Sequence, residues 1–251
     1  MEVSRRTLLI AGVAFVAACD GGDGTLTPAP PPPPPPPAAQ PVTLNFSFAN
    51  DFAGWETGYT DFTQGQEEAI DFRFGHERLP APLEDRTGIF LSGNNAPDDL
   101  FMYIFRRLDG LVAGQSYRVD TRIAFATNAP QNCAGVGGQP GESVWIKAGA
   151  SNVAPARVAQ AGGYVASNID KGDQIQDGED MKVLGNFAQP EPGGDCLAPA
   201  YALKTLDGAG NGPVVTSDAQ GRLWLVIGTE SGFEAVTRIY YLDGTITLTP
   251  V

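Results

Sequence analysis

Hydrophobic and polar residues alternate one for one along much of the chain beyond Pro41. Val42, Leu44, Phe46 and Phe48 are separated by Thr43, Asn45 and Ser47, and Tyr117, Val119, Thr121, Ile123 and Phe125 by Arg118, Asp120 and Arg122. A period of two sends successive side chains to opposite faces of an extended backbone, so each run predicts a strand with one buried face. Similar runs at 70–74, 89–92, 100–106, 144–147, 223–228 and 236–249 predict further strands. Between them lie turn formers such as Asp109-Gly110, Asn128-Ala129-Pro130 and the glycine-rich stretch 135–141. No window sustains a helical apolar stripe for more than about two turns. The expected architecture for residues 42–251 is therefore all-β, a β-sandwich of jelly-roll type.

The N-terminal segment follows a different pattern. Arg5 and Arg6 precede an apolar run from Leu8 to Val16, and Ala17-Ala18-Cys19 follows it. This is the order of a secretory signal, and the run is shorter than the roughly 20 apolar residues a membrane span needs. Val16-Ala17-Ala18-Cys19 resembles the lipobox of bacterial lipoproteins. That resemblance implies removal of residues 1–18 as signal peptide, a lipid-bearing Cys19 acylated with chains such as palmitate, and residence in the cell envelope. Ser4-Arg5-Arg6-Thr7-Leu8-Leu9 is also similar to a twin-arginine export signal, an ordinary basic leader being the alternative. Asp20 leaves inner versus outer membrane open.

Residues 19–41 read as a disordered, proline-rich tether. Gly21–Gly24 would be flexible, whereas the unbroken run Pro30–Pro37 favours polyproline II, a rod of roughly 25 Å. Spacing the following domain from the membrane is the expected role; docking to an aromatic groove is the other use of such a tract.

Charge narrows the partners. The chain carries 16 basic and 29 acidic residues, net −13, and loss of Glu2, Arg5 and Arg6 with the signal makes it one unit more negative. Such a surface argues against nucleic acid and against adhesion to anionic headgroups, which leaves membrane attachment to the acyl chains.

With Cys19 assigned to lipid, Cys133 and Cys196 remain as a pair in an oxidising compartment, and a disulfide between them is expected. His76 is the only histidine and reads as a polar loop residue; neither CxxC nor Gly-x-Ser-x-Gly occurs, so no catalytic residue is assigned.

Alternation also supplies candidate binding residues. If Val144 and Ile146 face the core, Trp145 and Lys147 lie opposite, and Leu223, Leu225 and Ile227 likewise leave Trp224 opposite. Sugar rings stack on aromatics while polar neighbours bond their hydroxyls. Trp145, Trp224 and Tyr103 beside Asp71, Arg73, Arg122 and Lys147 thus make a candidate glycan platform, burial of the tryptophans under core or loops being the alternative. Trp55 is expected to pack structurally where the first strand ends. Two Asx-rich loops, with Asn94, Asp98 and Asp99 in one and Asp170 and Asp173 in the other, are candidate ligands for a structural calcium. Self-bonded Asx turns explain the same loops without metal.

Asp51-Phe52-Ala53-Gly54-Trp55, the segment 111–119 and the segment 239–248 resemble galactose-binding-like jelly rolls, the fold of many carbohydrate-binding modules. Segments 91–102, 149–151 and 168–173 are similar to a group of uncharacterised bacterial lipoproteins. The combined expectation is a lipid-anchored, non-catalytic module binding carbohydrate or another envelope ligand. Its rivals are a structural or assembly lipoprotein contacting a partner protein, and a hydrolase with a carboxylate pair.

Overall fold

The structure is a computed structural model and describes residues 38–96 and 99–251. The signal segment, Cys19, the proline run and Asp98 lie outside the described residues. The described residues form fifteen strands: β1 (Val42–Ser47), β2 (Glu56–Thr60), β3 (Phe62–Thr63), β4 (Arg73–Arg78), β5 (Thr87–Asn94), β6 (Phe101–Leu108), β7 (Ser116–Thr127), β8 (Val144–Ser151), β9 (Arg157–Ala159), β10 (Tyr164–Ser167), β11 (Met181–Asn186), β12 (Ala202–Asp207), β13 (Val214–Thr216), β14 (Leu223–Ser231) and β15 (Val236–Pro250). One short helix, α1 (Glu67–Ile70), precedes β4.

The strands form a sandwich. A seven-stranded antiparallel sheet runs β12-β7-β15-β5-β4, with β1 also on β15 and β13 also on β7, and a five-stranded sheet runs β11-β8-β14-β6-β2. A small sheet, β3-β10-β9, stands beside them. From β5 to β8 the chain crosses between the two main sheets at every strand, and it crosses again through β12, β14 and β15, the connectivity of a jelly roll.

Alternation fixed which side of each strand is buried. Ile89, Leu91, Ile123, Phe125, Ile239, Tyr241, Ile246 and Leu248 face inward from one sheet, and Met102, Ile104, Val144, Ile146, Leu223, Leu225 and Ile227 from the other, all fully or almost fully buried. Each such aliphatic side chain contributes roughly 1.5–3 kcal/mol by leaving water. Trp55 is buried and packs on Phe46 and Phe48 at centroid distances of 4.9 and 6.0 Å, the structural place expected for it.

Cys133 and Cys196 are bonded, their Cα atoms 5.6 Å apart across a separation of 63 residues. The bond staples the loop after β7 to the loop before β12.

Two local readings are corrected. Ile70 belongs to α1 rather than to a strand: Asp71 takes a left-handed conformation (φ 47°), ends the helix and delays the extended backbone until Arg73. His76 lies within β4 rather than in a loop; it is half-buried, and its Nε2–H donates to the Phe48 carbonyl at 2.7 Å.

Candidate functional site

In the sandwich, β2 ends the five-stranded sheet and β4 ends the seven-stranded sheet, so one open side lies between these two edge strands. Thr57 and Tyr59 pair with Ile104 and Met102, and Phe74 and His76 pair with Leu91 and Ile89. All four partners are core residues, so these side chains of both edges lean inward across the opening.

Aromatic rings fill that opening as a continuous seam. Phe52 lies 6.2 Å from the His76 ring and meets Phe74 edge-on at 6.5 Å; Phe74 is 5.8 Å from Phe72, Phe72 is 4.6 Å from Tyr59, and Tyr59 is 5.2 Å from Phe62. Arg157 caps one end, its guanidinium 3.8 Å from the Tyr59 ring centroid and its Nε donating to the Tyr59 carbonyl. Closing a sandwich edge explains why such rings gather here, each pair contributing about 0.5–1.5 kcal/mol beyond its buried area.

Closure alone does not require Phe74 to keep 54 % of its surface exposed. Its free face borders a groove of about 400 Å³ lined by Phe52, Trp55, Glu56, Thr57 and Phe74. Apolar rings form most of the wall, and Glu56 and Thr57 are the polar residues that line it. The Trp55 indole Nε1 is buried with no hydrogen-bond partner among the described residues. Asp71 and Arg73 form an exposed ion pair of 2.8 Å at the entry to β4, flanking the phenylalanines on either side of Arg73.

The other residues singled out from the sequence are distributed differently. Trp145, Lys147, Trp224 and Tyr103 do lie on the face of the five-stranded sheet opposite the core. Trp145 pairs with Glu230 and Trp224 with Ser151, six residues apart along β8 and thus roughly 20 Å, so the two half-buried tryptophans occupy opposite ends of the sheet. Arg122 is on the other sheet, facing away from the core in register with Thr245 and Asp207.

Between the tryptophans the sheet is covered. A strap, residues 168–180, lies over it, with Ile169 packing into a cluster of Phe101, Tyr103, Met181 and Val226. Phe101 and Tyr103 lie flat on neighbouring backbone: a Cβ at Gly228 would come within 2.5 Å of the Phe101 ring, and one at Gly58 within 2.5 Å of the Tyr103 ring. Burial pushes the Tyr103 phenol up. Lys147 is fully buried, donates to the strap carbonyls of Lys171 and Gln176 at 2.9 and 3.1 Å, and lies 2.5 Å from Glu230 Oε2. Burial holds its ammonium below the usual lysine range, partly offset by Glu230.

Asn94, Asp170 and Asp180 in the Asx-rich loops bond to backbone. Asp170 accepts the amides of Gly172 and Glu179, Asp180 accepts that of Asp170, Asn94 donates to the Ala69 carbonyl, and Gln174 reaches Asp99 at 3.4 Å. Asp173 is exposed and its carbonyl accepts the Gln176 amide. Among the described residues no three acidic, histidine or cysteine side chains gather where they could hold a metal ion.

No protein-family model matches the sequence, and comparison with curated proteins gives no match. Among solved structures, the chain is similar to the CBM22-1 xylan-binding domain from Paenibacillus barcinonensis Xyn10C, at 11 % identity and a TM-score of 0.39, covering 86 % of this chain and 99 % of that one. A carbohydrate-binding module specific for non-crystalline cellulose, CBM28, gives 10 % identity and a TM-score of 0.37 over 79 % of this chain and 90 % of that one. The CBM22-1 and GH10 modules of Clostridium thermocellum endo-1,4-beta-D-xylanase 10B, complexed with xylohexaose, give 11 % identity and a TM-score of 0.37, covering 81 % of this chain. The chain spans only 28 % of that two-module chain.

Proposed function

We propose that this chain is a lipid-anchored envelope protein whose β-sandwich binds carbohydrate, without catalysis, in the groove between β2 and β4. The observation that carries the reading is the half-exposed Phe74 ring set against Phe52 in a groove that also presents Glu56 and Thr57. A pyranose offers an apolar C–H face to such a ring while its equatorial hydroxyls reach polar groups at the rim.

Anchoring rests on the sequence around Cys19, where a short apolar leader meets a lipobox-like cysteine. A strongly acidic chain gives no electrostatic hold on an anionic bilayer, so the acyl chains carry the attachment in this reading. A glycan array probed with the protein tests the binding; retention on xylan, cellulose or envelope polysaccharides that is lost in Phe74→Ala supports the groove, and uniform absence of binding refutes it.

A further inference from the structure

Four ionisable side chains meet beneath the strap, none more than 9 % exposed: Lys147 from β8, Glu230 from β14, Lys171 from the strap, and Asp61 from the link between β2 and β3. Glu230 is the hub. One of its oxygens faces Lys147 Nζ and the other contacts Lys171 Nζ. Lys171 Nζ is in turn 3.8 Å from Asp61 Oδ2. Asp61 is held in a left-handed conformation (φ 64°), unusual for a non-glycine residue, with the Thr60 hydroxyl donating to Oδ2 at 2.6 Å. The walls are apolar: Phe101, 5.5 Å from Lys171 Nζ, together with Tyr103 and Ile169.

Keeping two ammonium and two carboxylate groups out of water is costly, and their pairing only partly offsets that cost. Burial pushes the Asp61 carboxyl up towards its neutral form, against the pull of Lys171. A carboxylic acid beside a primary amine, with water excluded and a second carboxylate touching the amine, is set up for amide condensation: proximity supplies the encounter and the second carboxylate the base.

We propose that Lys171 and Asp61 condense to an intramolecular isopeptide bond with Glu230 as the general base. Glu230 takes one proton from the Lys171 ammonium. The neutral Nζ then attacks Cγ of protonated Asp61, a C–N bond forms and the C–OH bond breaks. The hydroxyl leaves with a second amine proton as water, and Glu230 keeps the first. No oxidant or co-reactant is needed. Lys147 acts as a positioning residue that holds Glu230 on the sheet, and once Glu230 has lost its proton to solvent the two remain as a neutral pair. The bond ties the strap permanently over the five-stranded sheet, independently of whether the groove at Phe74 binds glycan.

The test is peptide mass spectrometry on the full chain after disulfide reduction and tryptic digestion. The expected product is a branched peptide joining the segment containing Asp61 to that containing Lys171, lighter by one water than the two linear peptides together and uncleaved after Lys171. It should vanish in Lys171→Arg and Asp61→Ala, and fall at least about tenfold in Glu230→Gln, the loss of a general base. Wild-type protein that yields only separate linear peptides, with trypsin cutting after Lys171, overturns the proposal without recourse to any variant. Full linkage in folded Glu230→Gln overturns the role given to Glu230.

Discussion

Lys147 Nζ on β8 lies 2.5 Å from Glu230 Oε2 on β14, and neither side chain is exposed at all. The ammonium also donates to the strap carbonyls of Lys171 and Gln176, which fix it in place. Truncating one member of such a pair strands the other. Lys147→Met should lower unfolding free energy by about 3–5 kcal/mol in urea titrations. A loss under about 1 kcal/mol would mean that water reaches Glu230 and that the strap is not sealed.

The disulfide makes a separate contribution. Cross-linking residues 63 apart removes loop entropy from the unfolded chain, worth roughly 4 kcal/mol in the chain-entropy model. The Cys133→Ala/Cys196→Ala double variant should lose most of that stability in the same titration while keeping the far-ultraviolet spectrum of a β-sandwich. Equal stability of the oxidised protein and the double variant would show that the bond constrains nothing.

The strap carries a pH signature. Burial raises the Asp180 carboxyl above its ordinary 3.8, neighbouring Asp170 and Glu179 add to the rise, and the hydrogen bond from the Asp170 amide works against it. A folded value above the unfolded one means that the native state holds the proton more tightly. Its stabilising contribution is therefore complete below 3.8 and is lost as pH rises through the folded value. Urea unfolding across that window should show wild type losing stability relative to Asp180→Asn as pH increases. The opposite slope would place Asp180 in a charge-stabilising environment.

Membrane attachment is expected to depend on one atom, Cys19 Sγ. A Cys19→Ser variant should appear in the soluble fraction after cell disruption, whereas the parent chain stays with membranes through a high-salt wash. Retention of the variant after that wash would point to another anchor.

How far the sequence could be read depended on whether an element's neighbours were local. In β1 and β7 alternation decides which side chains are the more buried, and in β8, β14 and β15 it picks out the side that faces the core. Alternation likewise placed Lys147 opposite the core. It could not reveal the strap, which arrives from 168–180 and converts that face from a surface into an interior. The seam was hidden for a related reason. Phe52 is in a loop, Tyr59 on β2, Phe72 in the turn after α1 and Phe74 on β4, so no period in sequence connects them; only the apposition of two edge strands does. One local signal was available: Phe74 is the only large apolar residue of Arg73-Phe74-Gly75-His76-Glu77-Arg78, an otherwise polar edge strand. The loop with Asp170 was legible in composition but ambiguous in chemistry, because the same carboxylates suit a cation or a backbone turn; the Asp170 carboxylate accepts the Gly172 and Glu179 amides.

The central claim is that the groove at Phe74 binds carbohydrate. Isothermal titration of the full chain with an oligosaccharide selected on the array, comparing wild type, Phe74→Ala and Trp145→Ala, measures it most directly. Phe74→Ala should weaken binding about tenfold or more, equivalent to at least ~1.4 kcal/mol, with Trp145→Ala close to wild type. Undiminished affinity in Phe74→Ala would contradict the account and move the site away from the seam between β2 and β4.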